Sequence, residues 1–417
     1  MKQMKKILAL ILALAMITAM LSACAPSGET VSDQQSTGSE TTDSDNSSDT
    51  QDETTDDTTD DTTQATGDPI VIGLTAPLTG TYAASGNLID LAVKMAVEEV
   101  NEAGGVLGRP VEVICYDDQG DATYAVNVAN KLVSDGVCAI LGTNLTGTTK
   151  AVSPIFESAG IPYISSGSSA SLIDENNAYF FRIAASDNEV VALGAQYMSE
   201  NFGSAKIACI HDTNTYGQGV SDVLAEYTAS IGAEYFEAGY NQGDTDLSGQ
   251  ILSVADFDPD YVFLGCQETE IAICIRQMYE LGIDIPTMGV SSLGNKYCQD
   301  LLTEEEIVGK YLIVDVIPMS EDETIGAFYD AFGEKTGEVL DRNGAMFYAA
   351  FWCLMDAIER AGVDEPQAIR DALMETQGFP TVVGKLTSNE YGELQHNGIV
   401  AQITEGKVIT IIDKIEN

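Results

Sequence analysis

From residue 70 onward the chain alternates between short β-branched runs and longer stretches whose apolar residues recur at helical spacing. Ile70-Val71-Ile72-Gly73-Leu74 reads as a strand, and residues 86–102 then place Leu88, Leu91, Ala92, Met95, Ala96 and Val100 on one helical face. Ala103-Gly104-Gly105 ends that helix, since glycine adopts the left-handed cap that other residues resist. The same pattern predicts strands at 111–116, 138–141 and 162–164, with helices at 122–132 and 148–158 between them. A second series predicts helices at 189–201, 219–231, 247–254 and 270–281, interleaved with strands at 206–210, 234–238, 261–264 and 287–289. Regular βα alternation implies a parallel sheet covered by helices on both faces, with right-handed crossovers fixing its hand. Two series imply two sheets. Helices then follow in a row at 323–335, 345–361 and 366–374, and hairpin strands at 398–403 and 408–412 come last. A return of the chain to finish both lobes explains this order better than a third domain. The expected fold class is α/β, with two Rossmann-like lobes built on parallel-sheet cores.

What precedes this region has a different composition. Lys2, Lys5 and Lys6 stand before an uncharged apolar run over 7–21, and Leu21-Ser22-Ala23-Cys24 follows. That order resembles the bacterial lipoprotein signal, in which cleavage leaves a diacylated Cys24 as the new N-terminus. The apolar run is too short to span about 30 Å of hydrocarbon comfortably. Residues 25–68 hold thirteen acidic residues, no Lys or Arg, and Val31 as the one large aliphatic. Such a stretch buries too little apolar surface to offset its ordering entropy, so it is expected to be a disordered acidic tether. The implied location is the extracytoplasmic face of a membrane, held through lipidated Cys24, in an envelope of one membrane or two.

The whole chain has 19 basic and 65 acidic residues; setting aside the three signal lysines and the thirteen tether acids leaves 16 against 52, a net −36. A surface this acidic repels nucleic acid and anionic headgroups, which excludes both as partners. Seven cysteines remain without Cys24, none at CxxC or metal-ligand spacing. Cys115, Cys138, Cys209 and Cys266 sit in apolar runs and read as small buried hydrophobes. Spacing leaves a Cys274–Cys298 bridge open, and no metal or other cofactor is expected.

Ligands of open parallel sheets bind beyond the carboxyl ends of the strands, so the loops there carry the functional question. Gly142-Thr143-Asn144-Leu145-Thr146-Gly147-Thr148-Thr149 nearly matches the phosphate loop, but Thr148 stands where its lysine belongs, and Lys150 comes two residues late. What remains is a hydroxyl-rich helix start, suited to a singly charged anion such as a carboxylate. Ser165-Ser166-Gly167-Ser168-Ser169-Ala170-Ser171 is a second donor-rich turn after the next strand. The two can grip one carboxylate between them, although simple N-capping accounts for either turn alone.

A longer ordered set of motifs accompanies these turns. Ile72-Gly73-Leu74-Thr75-Ala76-Pro77-Leu78-Thr79-Gly80, Asn101-Glu102-Ala103-Gly104-Gly105-Val106-Leu107-Gly108-Arg109-Pro110 and Tyr116-Asp117-Asp118-Gln119-Gly120-Asp121 come first. His211-Asp212-Thr213-Asn214-Thr215-Tyr216-Gly217-Gln218-Gly219, Met288-Gly289-Val290-Ser291 and Gly384-Lys385-Leu386-Thr387 follow. In this order they resemble the leucine/isoleucine/valine-binding protein family, the solute-binding components of branched-chain amino-acid ABC importers. The resemblance covers about 70 to 417. It implies a type I periplasmic binding fold with three hinge crossings, near 184–188, 314–318 and 383–387. The first lobe would then comprise 69–186 plus 317–383, and the second 187–316 plus 384–417.

Carried over position by position, the resemblance gives Thr146 the α-carboxylate, and gives Gly167 and Ser169 contacts to carboxylate and ammonium. Tyr216 becomes the aromatic of the second lobe that closes over the ligand. Ser85 and Gln267 stand where branched-chain binders often have tyrosines, and Met346 falls near an apolar side-chain contact. The family's acidic partner for the amino group aligns with Ser291, so Glu268, Glu270 or Asp315 is needed as a substitute. The pocket is therefore more polar than an aliphatic side chain favours. An amino acid or a similar small carboxylate or amide is the expected ligand, with ABC permease subunits as partners and a monomeric state. A ligand sensor on the same fold, uncoupled from transport, is the alternative. No GxSxG elbow or HExxH motif occurs, and the two histidines, His211 and His396, have no nucleophile motif beside them, so no enzyme is expected.

Overall fold

The computed structural model describes residues 65–173, 177–316, 323–394 and 398–415. The export segment with Cys24, most of the tether, Pro318 and His396 lie outside the described residues. Strand β1 (Ile70–Ala76) leads into helix α1 (Ala83–Glu102), and the alternation continues through β2 (Val111–Asp117), α2 (Ala122–Asp135), β3 (Ile140–Leu141), α3 (Thr146–Ala159), β4 (Tyr163–Ser165) and β5 (Phe180–Arg182). These five strands form one all-parallel sheet in the order β2-β1-β3-β4-β5. Successive residues of β1 face opposite sides: Ile70, Ile72 and Leu74 enter one core, while a Cβ on Gly73 would meet Leu132 of α2 on the other face. A sheet buried on both faces needs near-continuous apolar strands, which explains why the sequence reads so clearly here.

The chain then builds α4 (Asp187–Phe202), β6 (Lys206–Asp212), α5 (Thr215–Ile231), β7 (Glu234–Tyr240), α6 (Ser248–Phe257), β8 (Tyr261–Gly265), α7 (Glu268–Glu280) and β9 (Thr287–Gly289). Two short helical turns, Lys296–Asp300 and Glu304–Ile307, precede β10 (Tyr311–Val314). Helices α8 (Glu323–Thr336), α9 (Arg342–Ala361) and α10 (Pro366–Met374) follow. The described chain closes with β11 (Phe379–Thr381), β12 (Gly384–Leu386), β13 (Gly398–Thr404) and β14 (Val408–Ile415). The second sheet runs β14-β13-β10-β9-β8-β6-β7; its core is parallel, and β13 and β14 add an antiparallel edge. Helix α9 is apolar on nearly every side because it lies within the first core, with Met346, Phe347, Phe351 and Leu354 fully buried. No helix among the described residues is long and apolar enough to cross a membrane.

The α/β class with two parallel-sheet cores stands as expected, and some details differ. No strand was expected at Phe180–Arg182, Tyr311–Val314, Phe379–Thr381 or Gly384–Leu386, although β10 lies between β9 and β13 in the second sheet. Helix α5 starts at Thr215 rather than at 219, because Asn214 Oδ1 accepts from the backbone N–H groups of Tyr216 and Gly217 at 2.8 and 3.1 Å. The third crossing falls later than 383–387. Leu386 and Leu394 are fully buried in the first core, β12 pairs with β11, and Leu394 N–H donates to Arg182 O at 2.8 Å. The stretch 384–394 thus packs with the first lobe, because its two leucines fill that core.

Candidate ligand-binding cleft

The carboxyl ends of both sheets' strands open on one cavity of about 810 Å³, within the usual range for small-molecule sites. Its first wall comprises the start of α1, the turn between β3 and α3 and the turn after β4. Its second comprises the starts of α5 and α7 and the loop after β9.

Hydroxyls tie the two first-lobe turns together. Thr149 Oγ1 lies 2.8 Å from both Thr143 Oγ1 and Ser165 Oγ, and Ser165 Oγ donates to Thr143 O at 2.8 Å. Ser166 Oγ donates to Asn144 Oδ1 at 2.8 Å, and Gly167 N–H donates to Ser165 Oγ at 3.0 Å. Gly142 allows this closeness: its φ is +126°, and a Cβ there would lie 2.4 Å from Thr75 O. Leu145, at the N-cap of α3, supplies no side-chain cap, so the first turn of α3 directs its backbone donors and positive dipole end into the cavity beside Thr146, Gly147 and Thr148. This is a carboxylate-sized receptor made without a cation.

The rest of the lining is strongly acidic. Asp121, Asp187, Glu268, Glu270, Asp300, Asp315, Glu338 and Asp341 face the cavity against Lys296 and Arg342. Most of these acids are held by the chain itself. Arg342 binds Asp315 through two bonds, Nε–Oδ1 at 2.5 Å and Nη2–Oδ2 at 2.7 Å, and Ala185 N–H donates to the same Oδ2 at 2.9 Å. Asn295 Nδ2 donates to Glu268 at 2.7 Å, Gly243 N–H to Glu270 at 3.2 Å, and Ser85 Oγ and Gly344 N–H to Asp341 at 2.7 Å each. Burial raises the Glu268 and Asp341 carboxyls above the ordinary range.

Asp187 is different. At the first position of α4 it is 4% exposed, and its Oδ2 has no hydrogen-bond partner among the described residues. Burial pushes its carboxyl up to about 6, against the favourable Ser168 hydroxyl, Arg182 and Arg342. Burial likewise pushes Asp212, at the end of β6, up to about 7, and its Oδ2 also lacks a partner among the described residues, but Asp212 does not line the cavity.

A family model described as periplasmic binding protein matches residues 69–407. The chain belongs to that family, in its Leu/Ile/Val-binding branch. It is 30% identical over 337 residues to Leu/Ile/Val-binding protein homolog 1 of Brucella abortus, covering 79% of this chain and 89% of the relative. It is 29% identical over 334 residues to the leucine-, isoleucine-, valine-, threonine- and alanine-binding protein of Pseudomonas aeruginosa, covering 79% and 88%. Two solved structures share the fold. A leucine binding protein of Thermotoga maritima has TM-score 0.77 at 24% identity, covering 83% of this chain and 99% of that one. A branched-chain amino acid transporter substrate binding protein of Streptococcus pneumoniae, in complex with isoleucine, has TM-score 0.76 at 24% identity, covering 84% and 100%.

In this binding protein Ser85, Thr146, Gly167, Tyr216, Gln267 and Ser291 all border the cavity. Two carried-over positions do not. Met346 is fully buried in the first core on α9, and Ser169 is 2% exposed, with its hydroxyl on Ser171 N–H at 3.3 Å. Ser169 approaches the second lobe instead, since a Cβ on Gly219 of α5 would lie 2.8 Å from its Oγ. Ser85 Oγ is committed, donating to Asp341 and accepting from Asn343 at 2.9 Å. His211 is buried, with Nδ1 2.8 Å from Asp212 O and Nε2 3.6 Å from Glu237. Cys274 and Cys298 are both buried free thiols, so they form no bridge. Sequence reasoning missed Arg342, Asn343, Asp187 and Tyr82 as cleft residues, because nothing in their local motifs marks them.

Proposed function

We propose that the chain is an extracytoplasmic solute-binding lipoprotein of an ABC importer, which captures an amino acid or a similar small carboxylate or amide between its lobes. One observation carries this reading: the two hydroxyl-bound turns and the uncapped start of α3 open on the same cavity as Tyr216. Thr146 and Gly167 take the carboxylate with the backbone donors of Gly147 and Thr148, and Tyr216 closes over the solute from the second lobe. The crossings after β5, after β10 and after Leu394 absorb the dihedral change as the lobes shut, and the closed form presents the surface that the permease recognises. Cys24, once lipidated, holds the protein at the membrane, and residues 25–68 give it reach. Monomers suffice for this role.

Relatives named for leucine, isoleucine, valine, threonine and alanine support an amino-acid ligand, and the acidic, polar lining here favours the more polar members of that class. A thermal-shift screen of the purified protein against amino acids, their amides and small organic acids tests the reading. A specific solute raises the midpoint by mass action, and Thr146→Ala lowers its affinity about tenfold or more through one lost charge-assisted bond. No shift from any carboxylate-bearing compound refutes it.

A further inference from the structure

We infer that Arg182 and Glu393, neither of which lines the cavity, are positioning residues for the second hydroxyl turn: Glu393, beside the third crossing, holds Arg182, and Arg182 holds the backbone of Ser168 and Ser169 in the shape that receives the carboxylate. This rests on the carboxylate site proposed above and deepens it by naming what fixes one of its turns.

Arg182 ends β5 with its side chain fully buried. A guanidinium taken out of water needs partners for its charge and its N–H groups, and Arg182 finds them in two places. Nη1 donates to Ser168 O at 2.9 Å and to Ser169 O at 3.0 Å, and Nη2 donates to Glu393 Oε1. Gly167 and Ser168 line the cavity and Arg182 does not, so the guanidinium grips the turn from behind. Asp187 N–H donates to the same Ser168 O at 2.9 Å, which brings the start of α4 into the arrangement.

Glu393 is itself held in place. Its Oε2 accepts from Asn389 Nδ2 at 2.7 Å, and its N–H donates to Asn389 Oδ1 at 3.0 Å. Backbone bonds dock this segment on β5: Arg182 N–H donates to Gly392 O at 3.0 Å, and Leu394 N–H donates to Arg182 O at 2.8 Å. The chain passes between the lobes just after β5 and just after Leu394, so Arg182 ties one solute turn to two of the three crossings. A change at either crossing as the lobes hinge is therefore felt at Ser168 and Ser169. Lysine cannot do this, because its ammonium is a point charge without the planar fork that spans two carbonyls and a carboxylate.

The test uses the full chain, with L-alanine, L-threonine, L-leucine and L-glutamine as probes, and reads calorimetric affinity together with backbone hydrogen exchange of the free protein. The variants are Arg182→Lys, Glu393→Gln and the two combined. Arg360→Lys is the matched control, since Arg360 also spans an acid, Asp356, and a carbonyl, that of Ala372, but does not line the cavity. The expected result is affinity about 2- to 30-fold weaker in Arg182→Lys and in Glu393→Gln, the range for residues that act on a site through others. The double variant should bind no more weakly than Arg182→Lys alone, exchange over 166–173 should quicken in each, and Arg360→Lys should bind as the parent does. Parent affinity in both Arg182→Lys and Glu393→Gln overturns the inference while leaving the carboxylate site intact. An equal loss in Arg360→Lys overturns it too, because it marks a general loosening of the first lobe. Should Arg182→Lys fail to fold, Glu393→Gln decides by the same two readings, since that side chain is partly exposed and the amide keeps an acceptor for Arg182. Failure of the parent to bind any of the four probes refutes the amino-acid reading, and the inference falls with it.

Discussion

One ion pair ties the start of α9 to the segment after β10, and its removal has a calculable cost. The Asp315 carboxylate, 3% exposed at the end of β10, accepts two bonds from Arg342 at the start of α9 and one from Ala185 N–H just beyond β5. Replacing Arg342 with Met keeps most of the apolar stem but strips the guanidinium from a buried carboxylate, a change that costs about 3 to 5 kcal/mol in comparable pairs. For roughly 350 ordered residues at about 2 cal/mol/K each, the unfolding entropy is about 0.7 kcal/mol/K, so the melting midpoint should fall by about 4 to 7 °C. Asp315→Asn added to Arg342→Met removes the charge that has lost its guanidinium and should recover most of that loss, giving a coupling of about 2 kcal/mol or more in the double-mutant cycle. Circular dichroism follows both lobes during melting, and fluorescence of Trp352, the one tryptophan, follows the first. Additive single effects, with coupling below about 0.5 kcal/mol, would show that the pair is not the clamp described.

Three further outcomes follow from the same structure. Asp212, pushed up to about 7 from an unfolded value near 4, contributes stability that is fully present below about pH 4 and is lost as pH rises from there through 7; Asp212→Asn should raise the midpoint roughly three times as much at pH 8 as at pH 5, and an equal gain at both would refute the assignment. Gly167→Ala would put a methyl 2.7 Å from Leu172 Cδ1 and 2.8 Å from Thr149 Oγ1, so the turn must shift away from α3; titration should show about tenfold weaker solute binding, with about 1 to 3 kcal/mol of stability lost to overpacking. Cys209, Cys266, Cys274, Cys298 and Cys353 are buried thiols, and iodoacetamide with mass spectrometry should modify them only after denaturation; a native Cys274–Cys298 disulfide would contradict the structure.

The legibility of this chain follows burial. Strands covered on both faces must be apolar along their whole length, and amphipathic helices must show a stripe, so β1, β6 and β8 and the helices beside them stand out from the sequence. Three-residue β5 and four-residue β10 carry too few residues for a period to register, whereas equally short β4 and β9 fall where the βα alternation calls for a strand. The third crossing was misplaced because Gly384-Lys385-Leu386-Thr387 looks like a connection, and only the buried positions of Leu386 and Leu394 reveal that it fills the first core.

The cleft divides along a similar line. Thr146 and Gly167 sit in contiguous loops whose composition announces backbone donors, and the structure brings those loops together through Thr149 and Ser165. The charges have no such local signature. Whether an acid is free to meet a ligand depends on what already donates to it, and those donors come from distant segments: Arg342 to Asp315, Ser85 to Asp341, Asn295 to Glu268. Position-by-position comparison therefore finds Ser291 and reports a missing carboxylate. Asp187, at an ordinary helix start, keeps one buried oxygen unmatched among the described residues, a feature that no local sequence pattern marks.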